Sequence, residues 1–174
     1  MKLVKPTKKY EQSWKAALAE FEAEERKGFW NVPENPTDLN EYIQRTENHS
    51  KGINLPDYWV PATTYWLIDK NEMVGHVNIR HELNEKLEKI GGNIGYTIRP
   101  KYRGQGYGTK ILELAIPKAQ EIGLKKALVT CDDDNVASTR IIEKNGGKLD
   151  CKFEFEGKLI RHYWINLRKK ANST

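Results

Sequence analysis

From about Thr7 to Lys27, apolar side chains recur every three or four positions, with Tyr10, Trp14, Leu18 and Phe21 on one face. That spacing predicts an amphipathic helix, ended by Gly28. A second helix is expected in NPTDLNEYIQRT, where Asp38 is placed to cap the run Leu39, Tyr42 and Ile43. HSKGINLPDYWVP reads as an ordered loop rich in Gly, Pro and aromatic residues. The period then changes. TTYWLID is β-rich, KNE is turn-like and MVGHVNIRH alternates, which together predict a hairpin. The first six residues carry a short strand signal, HELNEKLEKIGGN reads as a polar loop, and NIGYTIRP is a strand closed by Pro100.

Three glycines follow, Gly104, Gly106 and Gly108, and then Ile111, Leu112, Ala115, Ala119 and Ile122 mark a helix ending at Gly123. Pro117 inside it is expected to kink or split it. KKALVTC is a short apolar strand. DNVASTRIIEKNGG is a capped helix closed by two glycines, and KLDCKFEF, EGK and LIRHYWINL form a final hairpin. This order predicts an α+β fold with a mixed α/β sheet rather than a repeating doubly wound one. A chain of 174 residues suits one domain, with a helical region at about 7–60 and a core at about 64–167.

Composition narrows the function. No apolar run approaches the roughly 20 residues needed to span a bilayer, so no membrane role is expected. The first residues lack the apolar core of a signal peptide, so a cytoplasmic protein is expected. Cys131 and Cys151 are too few for a disulfide framework and have no zinc-site spacing around them, so no metal is expected. The net charge of +5 is spread along the chain among 24 acidic residues. That disfavours nucleic acid, which is bound by concentrated basic stripes, and favours a small phosphate-bearing ligand.

The stretch RPKYRGQGYG concentrates the chemistry. A strand enters it and a helix leaves it. The first backbone N–H groups of a helix have no intrahelical acceptor, and with the helix dipole they form an anion site. Glycines let a phosphate approach the backbone, and Arg103 adds a positive charge. The spacing GxGxG is neither the dinucleotide fingerprint nor the Walker pattern.

Arg103-Gly104-Gln105-Gly106-Tyr107-Gly108 resembles the R/Q-x-x-G-x-G/A signature of the GNAT superfamily of N-acetyltransferases. CDDDNVASTRIIEKNGGKL resembles that family's following strand end and helix, and the likeness runs in order from about residue 64 to 167. The resemblance implies a mostly antiparallel sheet flanked by helices, with a splayed parallel strand pair, NIGYTIR and KKALVTC, around acetyl-CoA as cosubstrate. It implies that backbone groups of Thr97, Ile98 and Arg99 hold the pantetheine arm. Amides of Arg103, Gly104, Gln105, Gly106, Tyr107, Gly108 and Thr109 would hold the pyrophosphate, with the Thr109 hydroxyl as a further contact. Asn135 and Ser138 would lie on the cofactor side, alongside their roles as helix cap and first-turn residue.

The implied reaction is direct attack of a primary amine on the thioester, with the Ile98 N–H facing the oxyanion. The family's tyrosine acid, seven residues after the asparagine, is replaced here by Ile142. Cys131, Tyr163 and water are the alternatives for the proton donor. His76 is the first candidate base, with His81, Glu82 and His162 behind it. Trp30, Tyr58, Trp59, Tyr65 and Trp66 are expected around an acceptor pocket or in ordinary packing. The alternative function is a non-catalytic acyl-CoA-binding domain. A homodimer through the final hairpin fits the same pattern.

Overall fold

The computed structural model describes residues 1–24 and 37–167. Within them, in chain order, lie β1 (Lys2–Val4), α1 (Glu11–Ala23), α2 (Leu39–Lys51), β2 (Ala62–Asp69), β3 (Glu72–Arg80), α3 (Glu85–Lys89) and β4 (Ile94–Ile98). They are followed by α4 (Tyr107–Ile122), β5 (Lys126–Asp132), α5 (Val136–Lys144), β6 (Lys148–Phe155) and β7 (Lys158–Asn166). Strands β1-β2-β3-β4 form one antiparallel sheet and β5-β7-β6 a second. The fold is α+β, as the element order predicts. Gly28 and Trp30 lie outside the described residues.

Local chemistry sets most of the boundaries. Lys70 and Asn71, with φ of +46° and +64°, make the two-residue left-handed turn that suits the twist of the β2–β3 hairpin. Asp38 caps α2 by accepting from the Glu41 N–H at 2.9 Å. Two expectations need correction. The polar stretch after β3 contains a short helix, α3, because Asn84 caps it by accepting from the Leu87 N–H at 3.0 Å. Pro117 does not split α4, which runs as one 16-residue element. Pro117 is on the exposed side, where Glu113, whose carbonyl loses its partner, meets water, while Ile111, Leu112, Ala115 and Ala119 bury the other face.

Strand β3 is covered on both faces. On one, Leu67, Val77, Ile79 and Ile94 pack with the buried side of α4. On the other, Trp66, Ile68 and Met73 pack with Trp14, Ala17 and Phe21 of α1 and with Leu39 and Tyr42 of α2. Arg99, fully buried, secures α1 to this sheet. Its guanidinium donates to Glu20 at 2.6 and 3.1 Å, to the Ser13 hydroxyl at 3.1 Å and to the Met73 carbonyl at 2.7 Å.

The two sheets meet at one place. The Asn93 N–H donates to the Leu128 carbonyl at 2.7 Å, and the Leu128 N–H donates to the Asn93 side-chain oxygen at 2.9 Å. Gly92 (φ +59°) passes so near that a Cβ there would lie 2.3 Å from the Leu128 oxygen. The buried Arg80 grips the same loop, donating to the Gly91 and Gly92 carbonyls at 3.0 and 2.9 Å. Residue numbers rise away from this junction on both β4 and β5, so the two strands run parallel and diverge. Among the described residues, no helix is long and apolar enough to cross a membrane.

Asn93→Ala leaves the buried Leu128 N–H without its acceptor. It should lower stability by about 1–3 kcal/mol, measured by urea denaturation, whereas Asn84→Ala at the half-buried α3 cap should cost less.

Candidate functional site

Antiparallel pairing decides which peptide groups face the gap between β4 and β5. Successive residues turn their N–H and C=O alternately toward the partner strand and away from it. The Arg80 N–H donates to the Asn93 carbonyl at 2.7 Å and the Arg99 N–H to the Val74 carbonyl at 3.0 Å, with unbroken register between. Gly95, Thr97 and Arg99 are therefore committed to β3, while Asn93 gives its carbonyl to β3 and its N–H to the junction. Ile94, Tyr96 and Ile98 turn their peptide groups toward β5. The bonds from Asp133 N–H to Leu159 and from Leu167 N–H to Lys125 set the phase of β5 in the same way, so Leu128, Thr130 and Asp132 face β4. Leu128 spends its groups at the junction. Beyond it the strands share no ladder, and two rows of peptide groups line a cleft of about 690 Å³.

This alternation corrects part of the expected backbone set. Ile98 faces the cleft. The peptide groups of Thr97 and Arg99 do not, and the Arg99 side chain is spent in the core. Tyr96, which sequence reasoning passed over, does face it.

At the mouth, Gly104 and Gly106 have φ of +74° and +86°, and no atom lies within 4 Å of where a Cβ would stand on either. The first intrahelical bond of α4 runs from the Lys110 N–H to the Gly106 carbonyl at 3.1 Å. The amides of Tyr107, Gly108 and Thr109 thus have no acceptor within the helix. Gly108 has a different reason to be glycine, since a Cβ would sit 2.5 Å from Ile141 of α5. Arg103 lines the cleft, but its guanidinium grips Glu24 with two bonds of 2.6 and 2.8 Å and reaches the Ile98 carbonyl at 3.1 Å. Gln105 bonds the Lys101 carbonyl, the Tyr107 hydroxyl donates to Asp69 at 2.8 Å, and the Thr109 carbonyl accepts from Asn145.

The far wall is β5 and α5. Asn135 caps α5, its side-chain oxygen accepting from the Ser138 N–H at 3.0 Å, and both residues line the cleft. Cys131 lines it too, with its thiol pushed up by burial. His76 enters from the α1 side, buried with its ring against the edge of Phe21. Burial alone pulls its pKa down to about 3.

Several candidates lie away from this cleft. Tyr163 is buried and its hydroxyl donates to Glu143 at 3.1 Å, so it is a core anchor and not a cleft acid. His81 bonds Thr63, and His162 bonds the Lys89 carbonyl. Glu82 is exposed and Ile142 is packed in the core. Trp66 stacks on Tyr42 in the core, Tyr65 packs on the α4 side, Trp59 lies against His49 and Tyr58 is exposed. Among the described residues, Phe21 is the aromatic ring that reaches the cleft from the helical side. Among the described residues, no three His, Cys, Asp or Glu side chains converge as a metal site.

Solved structures share this fold. The microcin C7 self-immunity acetyltransferase MccE, in complex with acetyl-CoA and AMP, has a TM-score of 0.66 at 17% identity over 94% of this chain and 91% of that one. RimL, a ribosomal-protein α-N-acetyltransferase in complex with coenzyme A, scores 0.64 at 20% identity over 94% and 92%. The putative acetyltransferase yncA from Salmonella typhimurium, with its cofactor acetyl-CoA, scores 0.63 at 13% identity over 100% and 99%. No curated protein matches the sequence. The family profile described as "Acetyltransferase (GNAT) domain" matches residues 6–148. That is most of the chain, and it includes the glycine loop, the splayed strands and Asn135: the chain belongs to the GNAT acetyltransferase family.

Proposed function

We propose that this protein transfers the acetyl group of acetyl-CoA to a primary amine by direct attack within the β4–β5 cleft. The observation that carries the reading is the wedge itself, with inward-turned peptide groups along its walls and a glycine loop with open space at its mouth. The amides around Gly104 to Thr109 suit the pyrophosphate, and they must supply most of the attraction because Glu24 already neutralises Arg103. The N–H of Ile98 suits either the pantetheine arm or the developing oxyanion. The Tyr96 N–H, two residues deeper, is turned the same way.

Direct attack, rather than relay through an acyl-cysteine, is favoured by the state of Cys131. Burial keeps its thiol protonated, and the thiolate is the nucleophilic form. His76 is held neutral far below the working pH, so it is poorly matched to a general base. The amine proton is assigned to water in the open cleft. Ribosomal protein termini are acted on by RimL, and spermidine by SpeG of Vibrio cholerae, also among the solved structures that share the fold. We take a primary amine as this chain's acceptor.

Two measurements test the reading. Gly106→Asn keeps a residue that tolerates the left-handed backbone while filling the open space. Acetyl-CoA affinity by titration calorimetry should fall at least about tenfold, about 1.4 kcal/mol, with melting temperature little changed. Gly108→Val should instead lower the melting temperature, because its side chain collides with Ile141. Unchanged affinity in Gly106→Asn would sink the loop assignment, and binding without thiol release across an amine panel would leave only a binding domain.

His76 gives a pH signature. Its folded pKa lies below the unfolded value near 6.5, so the unfolded chain takes the proton first and stability falls as pH drops from about 6.5 toward 3. Between pH 7 and 4.5, His76→Leu should lose about 2 kcal/mol less stability than the wild type, read by urea denaturation at each pH.

A further inference from the structure

Ile142 stands where the family's tyrosine acid is usual, and its side chain is 1% exposed in the core. Another phenol occupies the cleft. Tyr96 lies on β4, and its hydroxyl oxygen is buried with no hydrogen-bond partner. Ser138, in the first turn of α5, acts on the phenol to lower its pKa, and Cys131 acts on it to raise it. Tyr96, Ser138 and Cys131 all line the cleft. An unpartnered buried hydroxyl costs free energy, and such groups call for an explanation in the site they face.

The direction of the cofactor identifies the missing partner. The glycine loop follows the C-terminal end of β4. An arm anchored there by its pyrophosphate and running back along the strand passes Ile98 before it reaches Tyr96, about 7 Å deeper. The sulfur end of the arm therefore lies toward Tyr96. A phenol pushed up to about 12 by burial remains a protonated donor throughout the working range.

Resting on the acetyl-CoA reading above, we infer that Tyr96 is a catalytic residue whose hydroxyl donates a hydrogen bond to the coenzyme A sulfur as it departs. The nitrogen–carbon bond forms, the carbon–sulfur bond breaks, and the electron pair stays on sulfur as a thiolate held by the phenol O–H. The amine's proton leaves to water and Tyr96 keeps its own. The hydroxyl of Ser138 is the neighbour placed to share the same anion.

The test needs no acceptor. Coenzyme A is bound to the full chain and its thiolate absorbance is followed as pH is raised. A hydrogen bond to the charged form lowers a pKa. In the wild type the bound thiol should titrate at least about one unit below free coenzyme A, a tenfold shift, and below the Tyr96→Phe complex by a similar margin. Tyr96→Phe should melt no earlier than the wild type, since it removes a hydroxyl without a partner. A bound thiol in the wild type that titrates at or above the free value overturns the proposal, as does an equal value in the two proteins. A clear loss of stability in Tyr96→Phe also overturns it, because it assigns the hydroxyl a structural bond. Failure of the wild type to bind coenzyme A at all, read by calorimetry, strikes the acetyl-CoA reading itself.

Discussion

Asn93 and Leu128 exchange two hydrogen bonds, and these hold β4 and β5 together at one end only. One is an ordinary peptide bond pairing. In the other a side-chain amide oxygen takes the place of a backbone carbonyl, so the ladder begins without being able to continue in regular register. Arg80 fixes the adjoining carbonyls, and Gly92 allows an approach that no side chain permits. Beyond the closed end each strand is paired on its outer side with β3 or β7 and leaves its inner peptide groups to the cleft. The cleft follows from a pairing that is stopped, not from a hole in the packing.

The mouth of the cleft is organised by two arginines that reach in opposite senses. Arg99 points into the core and holds Glu20, while Arg103 lies on the loop and holds Glu24, one turn along the same helical segment. The glycine loop and α1 are thereby joined through two carboxylates. The loop's anion affinity is left mainly to uncommitted amides, whose dipoles are fixed by the backbone and need no side chain to be ordered. This division suits a ligand that must approach closely.

Much of this was legible in the sequence because it is local. Asp38 and Asn135 act as the caps their chemistry implies, and Gly104 and Gly106 leave the open approach to the backbone that bare glycines before a helix suggest. What depends on partners distant in the chain was not legible. Whether Thr97 or Ile98 faces the cleft is decided by the phase of pairing with β3. Tyr163 and Tyr96 look equivalent as sequence, yet one meets Glu143 in the core and the other stands in the cleft. His76 has an ordinary base's chemistry until Phe21 and the sheet desolvate it. A useful signal was present: Tyr96 shares the parity of Ile98 along the strand, so assigning one to the cleft assigns the other.

The alternation in β4 also limits how the strand can change. Asn93 must meet Leu128 at one end, and Arg99 must bond Val74 at the other. Inserting or deleting one residue between them would exchange the inward and outward peptide groups and reverse the two faces of the strand. Tyr96 would leave the cleft, and its neighbours would present side chains to the wrong helices. The length of this segment can therefore change only in steps of two.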